Sequence, residues 1–177
     1  MQPTRLVSVI GRKNAGKTTL VVALAAEFAR QGHSVGTLKH GHHPVLLDTE
    51  GTDTWRHYNE GKARRALIES PGQRTVFERT EADGDPEALA RQYMSGLDIV
   101  IAEGFKLSAV PKIEVYRLAT KQSPIFDPGL PNAGLWVAMV TDDDTLRTPF
   151  PVFRFNDTAW LMSLTGLAWK RAKVLEP

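Results

Sequence analysis

Apolar and polar positions along this chain change period in a regular order, from the short runs of buried strands to the three-to-four spacing of helices. Leu6-Val7-Ser8-Val9-Ile10 predicts a strand over residues 5–10. Leu20, Val21, Leu24, Ala25 and Phe28 then recur at helical spacing, which predicts a helix over 17–30 that Gly32 stops. A second apolar run predicts a strand over 35–39 and closes a βαβ unit, the opening of a parallel doubly wound sheet with flanking helices.

Residues 40–53 are polar, rich in Gly and His and without period, so they read as a loop at the carboxyl end of the second strand. A short helix over 54–60 stops at Gly61. Strands over 63–69 and 75–79, joined through Ser70-Pro71-Gly72, predict a small antiparallel β extension outside the parallel core. Asp85-Pro86-Glu87 has the order of an N-cap followed by proline in the first turn, predicting a helix that runs to about Ser95. The run over 97–102, broken by Asp98, is the strongest central strand, and further strands are expected over 112–117 and 135–141, with an edge strand over 152–155. A last helix is expected from an Asn156-Asp157 cap to near Lys173. Between Arg117 and Leu135, Pro124, Pro128 and Pro131 mark a long loop to which no chemistry attaches. The 177 residues suffice for one α/β domain over 1–177.

The segment between the first strand and its helix adds chemistry to this frame. Gly11-Arg12-Lys13-Asn14-Ala15-Gly16-Lys17-Thr18 is a complete G-x-x-x-x-G-K-[ST] loop. A glycine turn capping a helix would use similar residues, but here strand, loop and helix follow in the order that phosphate binding needs. Gly11 and Gly16 let main-chain N–H groups of residues 13–18 converge on a phosphate chain, and the helix start adds its dipole. Lys17 is expected to reach the β- and γ-phosphates, Thr18 to ligate Mg²⁺, and Thr19 to lie near the α-phosphate. A nucleoside di- or triphosphate is the expected ligand, and the fold is of P-loop NTPase type.

Such a loop needs an acid at the end of a neighbouring strand to hold the metal or its water. Glu103 stands at the carboxyl end of the central strand, where ligands bind in open α/β sheets, and Gly104 permits close backbone approach. Asp98 lies at the other end and is rejected as a metal ligand. His40-Gly41-His42-His43, with Asp48 and Asp53, leaves three readings open: a transition-metal cluster, surface histidines without a site, or a loop reaching the nucleotide, with Thr49, Thr52 and Thr54 as donors and Lys39 and Arg56 as counter-charges. Thr141-Asp142 ends another strand. A carboxylate there suits guanine N1 and N2, which adenine does not offer, or it is merely an acidic turn.

Composition narrows the partners. Formal charge is +2, and the positive residues cluster in the first part of the chain, which suits phosphates without calling for nucleic acid. With no cysteine, disulfides and thiolate metal sites are excluded. No stretch approaches the ~20 apolar residues of a membrane span, and no secretory pattern opens the chain, so a cytoplasmic protein without a membrane partner is expected.

The phosphate loop, Leu38-Lys39-His40-x-His42-His43, Asp48-Thr49-x-Gly51-x-Asp53, Glu103-Gly104-Phe105-Lys106 and Pro111-Lys112-Ile113-Glu114-Val115 occur in this order. Together they resemble the molybdopterin-guanine dinucleotide biosynthesis protein B family across residues 5 to about 142. The resemblance implies a GTP-binding protein, usually a homodimer, that hydrolyses GTP weakly at most and assists a partner guanylyltransferase in joining GMP to molybdopterin. On that reading Gly11, Arg12, Lys13, Asn14, Ala15, Gly16, Lys17, Thr18 and Thr19 grip the phosphates. Thr18 and Glu103 hold Mg²⁺, Asp48 and Asp53 lie near the γ-phosphate, and His40, Gly104, Thr141 and Asp142 complete the nucleotide site. Lys17, Asp48 and Glu103 would carry whatever hydrolysis occurs. The stretch 44–47 is more apolar than in the family, and Thr54 replaces its common Ser. Two other readings share the phosphate loop: a small-molecule kinase with Arg64, Arg65 and Arg74 on a lid, and a metallochaperone GTPase using His40, His42 and His43.

Overall fold

The run around Leu6 forms β1 (Thr4–Gly11), and its residues alternate between two cores. Val7 and Val9 enter one with α1 (Lys17–Arg30) and α4 (Trp160–Arg171), while Leu6 enters the other with Ala90, Val100, Val110 and Leu175. This computed structural model describes residues 2–41, 48–81 and 83–176. The described chain divides into two compact units, one of residues up to His40 and from Gly84 onward, the other of residues 41–83.

In the larger unit, β2 (Val35–Lys39), β5 (Ile99–Glu103), β1, β6 (Lys112–Tyr116), β7 (Trp136–Thr141) and β8 (Val152–Arg154) lie side by side in that order, all parallel. A seventh strand, β9 (Lys173–Leu175), pairs antiparallel with Thr4, Arg5 and Leu6, beside the part of β1 that β6 leaves free. The sheet is therefore doubly wound and mostly parallel, with flanking helices, as expected for a P-loop NTPase-like fold. Because the six parallel strands share a direction, their carboxyl ends share one edge, and the phosphate loop leaves β1 there.

α1 buries Leu20, Val21, Leu24 and Phe28, the face its spacing predicts. Burying two side chains such as Leu24 and Phe28 contributes roughly 1.5–3 kcal/mol each. The helix stops as expected: the amide of His33 donates to Phe28 O and that of Gly32 to Ala29 O, a Schellman closure. α3 (Pro86–Tyr93) has Asp85 as its cap, with Oδ2 accepting from the amides of Glu87 at 3.0 Å and Ala88 at 3.2 Å.

Two expectations at the C-terminus need correction. The last helix starts at Trp160 rather than at an Asn156-Asp157 cap, because Asp157 Oδ2 accepts the Arg154 amide at 2.9 Å and closes a turn there. It also ends at Arg171, since Ala172 is extended and the next three residues leave to form β9.

The proline-rich connection after β6 contains only two short 3₁₀ turns, yet it is tied down. Glu114 on β6 is fully buried and accepts from the amides of Ile125 at 2.5 Å and Phe126 at 2.9 Å and from Trp136 Nε1 at 2.8 Å. Phe126 packs edge-on against Trp136 and Phe150. Burial pushes the Glu114 carboxyl up, and these three donors together with the Arg12 charge oppose the rise.

The smaller unit holds α2 (Asp53–Asn59), capped by Thr52, and a separate antiparallel pair, β3 (Arg65–Ser70) and β4 (Gln73–Glu78). Ion pairs Arg65–Glu78 and Arg74–Glu69 join facing residues across it.

Candidate functional site

Residues 11–18 turn from β1 into α1 at the carboxyl edge of the sheet. Gly11 has φ +155°, and a Cβ there would stand 2.4 Å from the Val115 carbonyl oxygen on the neighbouring strand, so only glycine fits. Asn14 adopts a left-handed conformation, which its short amide side chain tolerates. Ala15 is buried beneath the loop, while Arg12, Lys13, Asn14, Thr18 and Thr19 are exposed. Gly16 is the N-cap of α1 and no side chain caps it, which leaves the first amides of the helix open toward the edge.

Lys17 Nζ donates to the Arg12 carbonyl at 2.9 Å, arching over the loop. Burial lowers its pKa; Glu103 opposes that shift and Lys39 adds to it. Thr18 Oγ1 donates to Glu103 Oε1 at 3.0 Å, which ties the end of the loop to the central strand. The same oxygen lies 3.3 Å from Lys39 Nζ, and Glu103 is 9% exposed. Thr18, Lys39 and Glu103, from three different elements, thus converge as the strand order dictates. A hydroxyl and a carboxylate are hard oxygen donors of the class Mg²⁺ takes, and cis ligands at ~2.1 Å would lie about 3.0 Å apart. Thr18 and Glu103 satisfy that spacing.

Gly104 follows with φ +94°, and its amide donates to Val9 O at 2.9 Å. Phe105 is left-handed too, with φ +54°, an uncommon conformation for a bulky residue, and its ring lies 5.1 Å from that of His40. The His40 amide donates to Glu103 O at 3.0 Å, so His40 and Gly104 both border the acidic strand end. Asp98 is at the opposite end of β5, bonded to Ser34.

Thr141 and Asp142 end β7 on the same edge. Thr141 is fully buried and its hydroxyl accepts the Asp143 amide at 3.0 Å. Asp142 is exposed, and its Oδ1 accepts the Leu118 amide at 2.9 Å. The smaller unit contains Asp48 and Asp53. Asp48 Oδ1 accepts from the Thr49 amide and the Thr52 hydroxyl, and Asp53 occupies the first turn of α2. His42, His43 and the stretch 44–47 lie outside the described residues; among the described ones, no three His, Cys, Asp or Glu residues form a group that could hold a metal ion. Arg65 and Arg74, expected on a kinase lid, are engaged in the cross-strand ion pairs of the hairpin. Arg12 also does more than motif logic assigns, its Nε donating to Ser123 O at 3.2 Å. Among the described residues no helix is long and apolar enough to cross a membrane.

Residues 6–142 match the family described as molybdopterin guanine dinucleotide synthesis protein B. The chain belongs to that family. It is 32% identical over 124 residues to the molybdopterin-guanine dinucleotide biosynthesis adapter protein of Haemophilus influenzae, spanning 69% of both chains. To the Escherichia coli adapter protein it is 30% identical over 115 residues, spanning 63% of this chain and 65% of the relative. Among solved structures it resembles Bacillus subtilis MobB, with a TM-score of 0.69 at 23% identity over 96% of this chain and 98% of that one. A MobB homolog from Bacillus stearothermophilus gives 0.65 at 23% identity over 93% and 98%.

Proposed function

We propose that this chain binds GTP with Mg²⁺ and, as a homodimer in the cytoplasm, serves as an adapter to the guanylyltransferase that joins GMP to molybdopterin. Family membership places it in molybdopterin-guanine dinucleotide biosynthesis, and the relatives' description as adapter proteins supports the role. The observation that carries nucleotide binding is the Thr18–Glu103 contact, which joins a phosphate loop to an acidic strand end with the oxygen donors Mg²⁺ requires. On this reading the main-chain amides of the loop and Lys17 take the phosphates, Thr18 and Glu103 hold the metal, and Asp142 offers its free oxygen to the guanine edge. His40, whose amide is bonded to Glu103 O, borders the γ-phosphate side. The metal would neutralise phosphate charge, and slow turnover suits a protein that presents GTP to another enzyme.

The test is reconstitution of GMP attachment with purified guanylyltransferase, molybdopterin and GTP. Adding this protein should raise the yield or rate of dinucleotide, and Lys17→Ala should not. Equal stimulation by both proteins, or none by either, would remove the reading.

A further inference from the structure

Arg117 stands just past β6 and Phe155 just past β8, on the edge where β1 gives way to the phosphate loop. Between them β7 ends in Thr141 and Asp142. The Arg117 guanidinium lies on the Phe155 ring, with Cζ 4.3 Å from the ring centroid, and Phe155 is itself braced edge-on by Trp160. Arg117 forms no ion pair among the described residues, and its Nε is buried without a hydrogen-bond partner. Asp142, at the next strand end, has one oxygen engaged by the Leu118 amide. A guanidinium and a carboxylate thus stand at successive strand ends without neutralising each other. The Phe155 stack and the Leu118 amide hold them in separate places.

Position decides what such a pair faces. Thr18, Glu103 and Lys39 gather on the β5 and β2 side of the loop, so the metal and terminal phosphates belong on that side. The nucleoside must then extend the other way along the edge, toward β6, β7 and β8. The end of β7 lies two strand spacings from β1, about 10 Å, a distance a nucleoside covers from its phosphates. Guanine offers N1–H and N2–H₂ on one edge and the acceptors O6 and N7 on another. A carboxylate matches the first and an arginine fork the second. Adenine, with a donor at position 6 and none at position 1, would set donor against donor at Arg117.

We propose that Arg117, backed by Phe155, reads O6 and N7 of the guanine whose opposite edge faces Asp142; this rests on the GTP-binding reading above and adds a specificity residue to it. Calorimetric titration with Mg²⁺ tests it, using GTP, 7-deaza-GTP, which lacks N7, and ATP. The unaltered protein should bind GTP roughly 10-fold more tightly than 7-deaza-GTP. Arg117→Met should lose roughly 10-fold for GTP and treat the two guanine nucleotides alike, while Arg117→Lys keeps part of the discrimination. The comparison on the unaltered protein needs no variant to fold. Equal binding of GTP and 7-deaza-GTP by the unaltered protein, with ATP still weaker, overturns the assignment of Arg117 and leaves GTP binding standing. An equal loss for all three nucleotides in Arg117→Met also overturns it, because the residue then only supports the edge. Equal binding of GTP and ATP removes the parent reading together with it.

Discussion

Replacing Glu114 by alanine removes an acceptor that serves three donors, the amides of Ile125 and Phe126 and the Trp136 indole N–H. Hydrogen bonds to a charged group contribute about 1.5–3 kcal/mol each, so the gross loss is roughly 4.5–9 kcal/mol. Two terms reduce it. Burying the carboxylate costs several kcal/mol, which the variant no longer bears, and water entering the vacated space can satisfy some donors. A net loss of about 3 kcal/mol remains, or a Tm drop of roughly 6–12 °C for a chain of this size. The effect should centre on the proline-rich connection. In urea, the Glu114→Ala midpoint should fall with little change in slope, Trp136 fluorescence should shift, and limited proteolysis should open the chain near Ser123 and Ile125. Glu114→Gln, with one acceptor oxygen and an amide facing a donor, should fall between. A loss below about 1 kcal/mol with the connection still protected would refute the claim that this carboxylate holds it.

Three further outcomes are expected. Gly11→Ala places a Cβ against the Val115 carbonyl oxygen and should distort the loop, costing on the order of 1–3 kcal/mol by thermal melting and abolishing nucleotide binding; near-normal binding would contradict the geometry. Lys112 is fully buried, donates to the Ser108 and Val110 carbonyls, and burial lowers its pKa to about 8. Between about 8 and the usual 10.5 the unfolded chain holds more protons than the folded one. Stability therefore rises with pH through that window, by up to roughly 3 kcal/mol. Denaturation of wild type beside Lys112→Met should show the wild type gaining relative to the variant from pH 7.5 to 10, and a constant difference would oppose it. Thr18→Ala should weaken GTP binding at least roughly 10-fold in Mg²⁺ and much less in EDTA; an equal loss in both would take Thr18 away from the metal.

Much of the parallel core is legible in the chain because two independent signals coincide there. Around β1 and α1 the apolar period changes where the glycine motif sits, and Gly32 and Asp85 mark helix ends through local hydrogen bonds. The Thr18–Glu103 pair is legible for a similar reason: a motif residue and a strand-end acid have fixed places once strand order is known. Other features depend on contacts that local pattern does not carry. Asp157 looks like a helix cap, but its carboxylate serves the Arg154 amide. β9 is three residues long, too short to show a period, and exists because β1 has free edge beside Thr4, Arg5 and Leu6. Lys112 and Glu114 alternate with apolar residues as in a half-solvated strand, yet both are fully buried, Glu114 because residues 125 and 126 return over it. Arg117 and Phe155 carry no motif. Only the strand order β6, β7, β8 brings them together.

If the loop and Glu103 hold Mg²⁺ and a guanine nucleotide, affinity must depend on the base, the metal and Lys17 together. Calorimetric titration with GTP, GDP and ATP, each with Mg²⁺ and with EDTA, tests it most directly. GTP binding should strengthen with Mg²⁺, be at least roughly 10-fold tighter than ATP binding, and be lost in Lys17→Ala. Equal affinity for GTP and ATP, or GTP binding unaffected by Lys17→Ala, would contradict it.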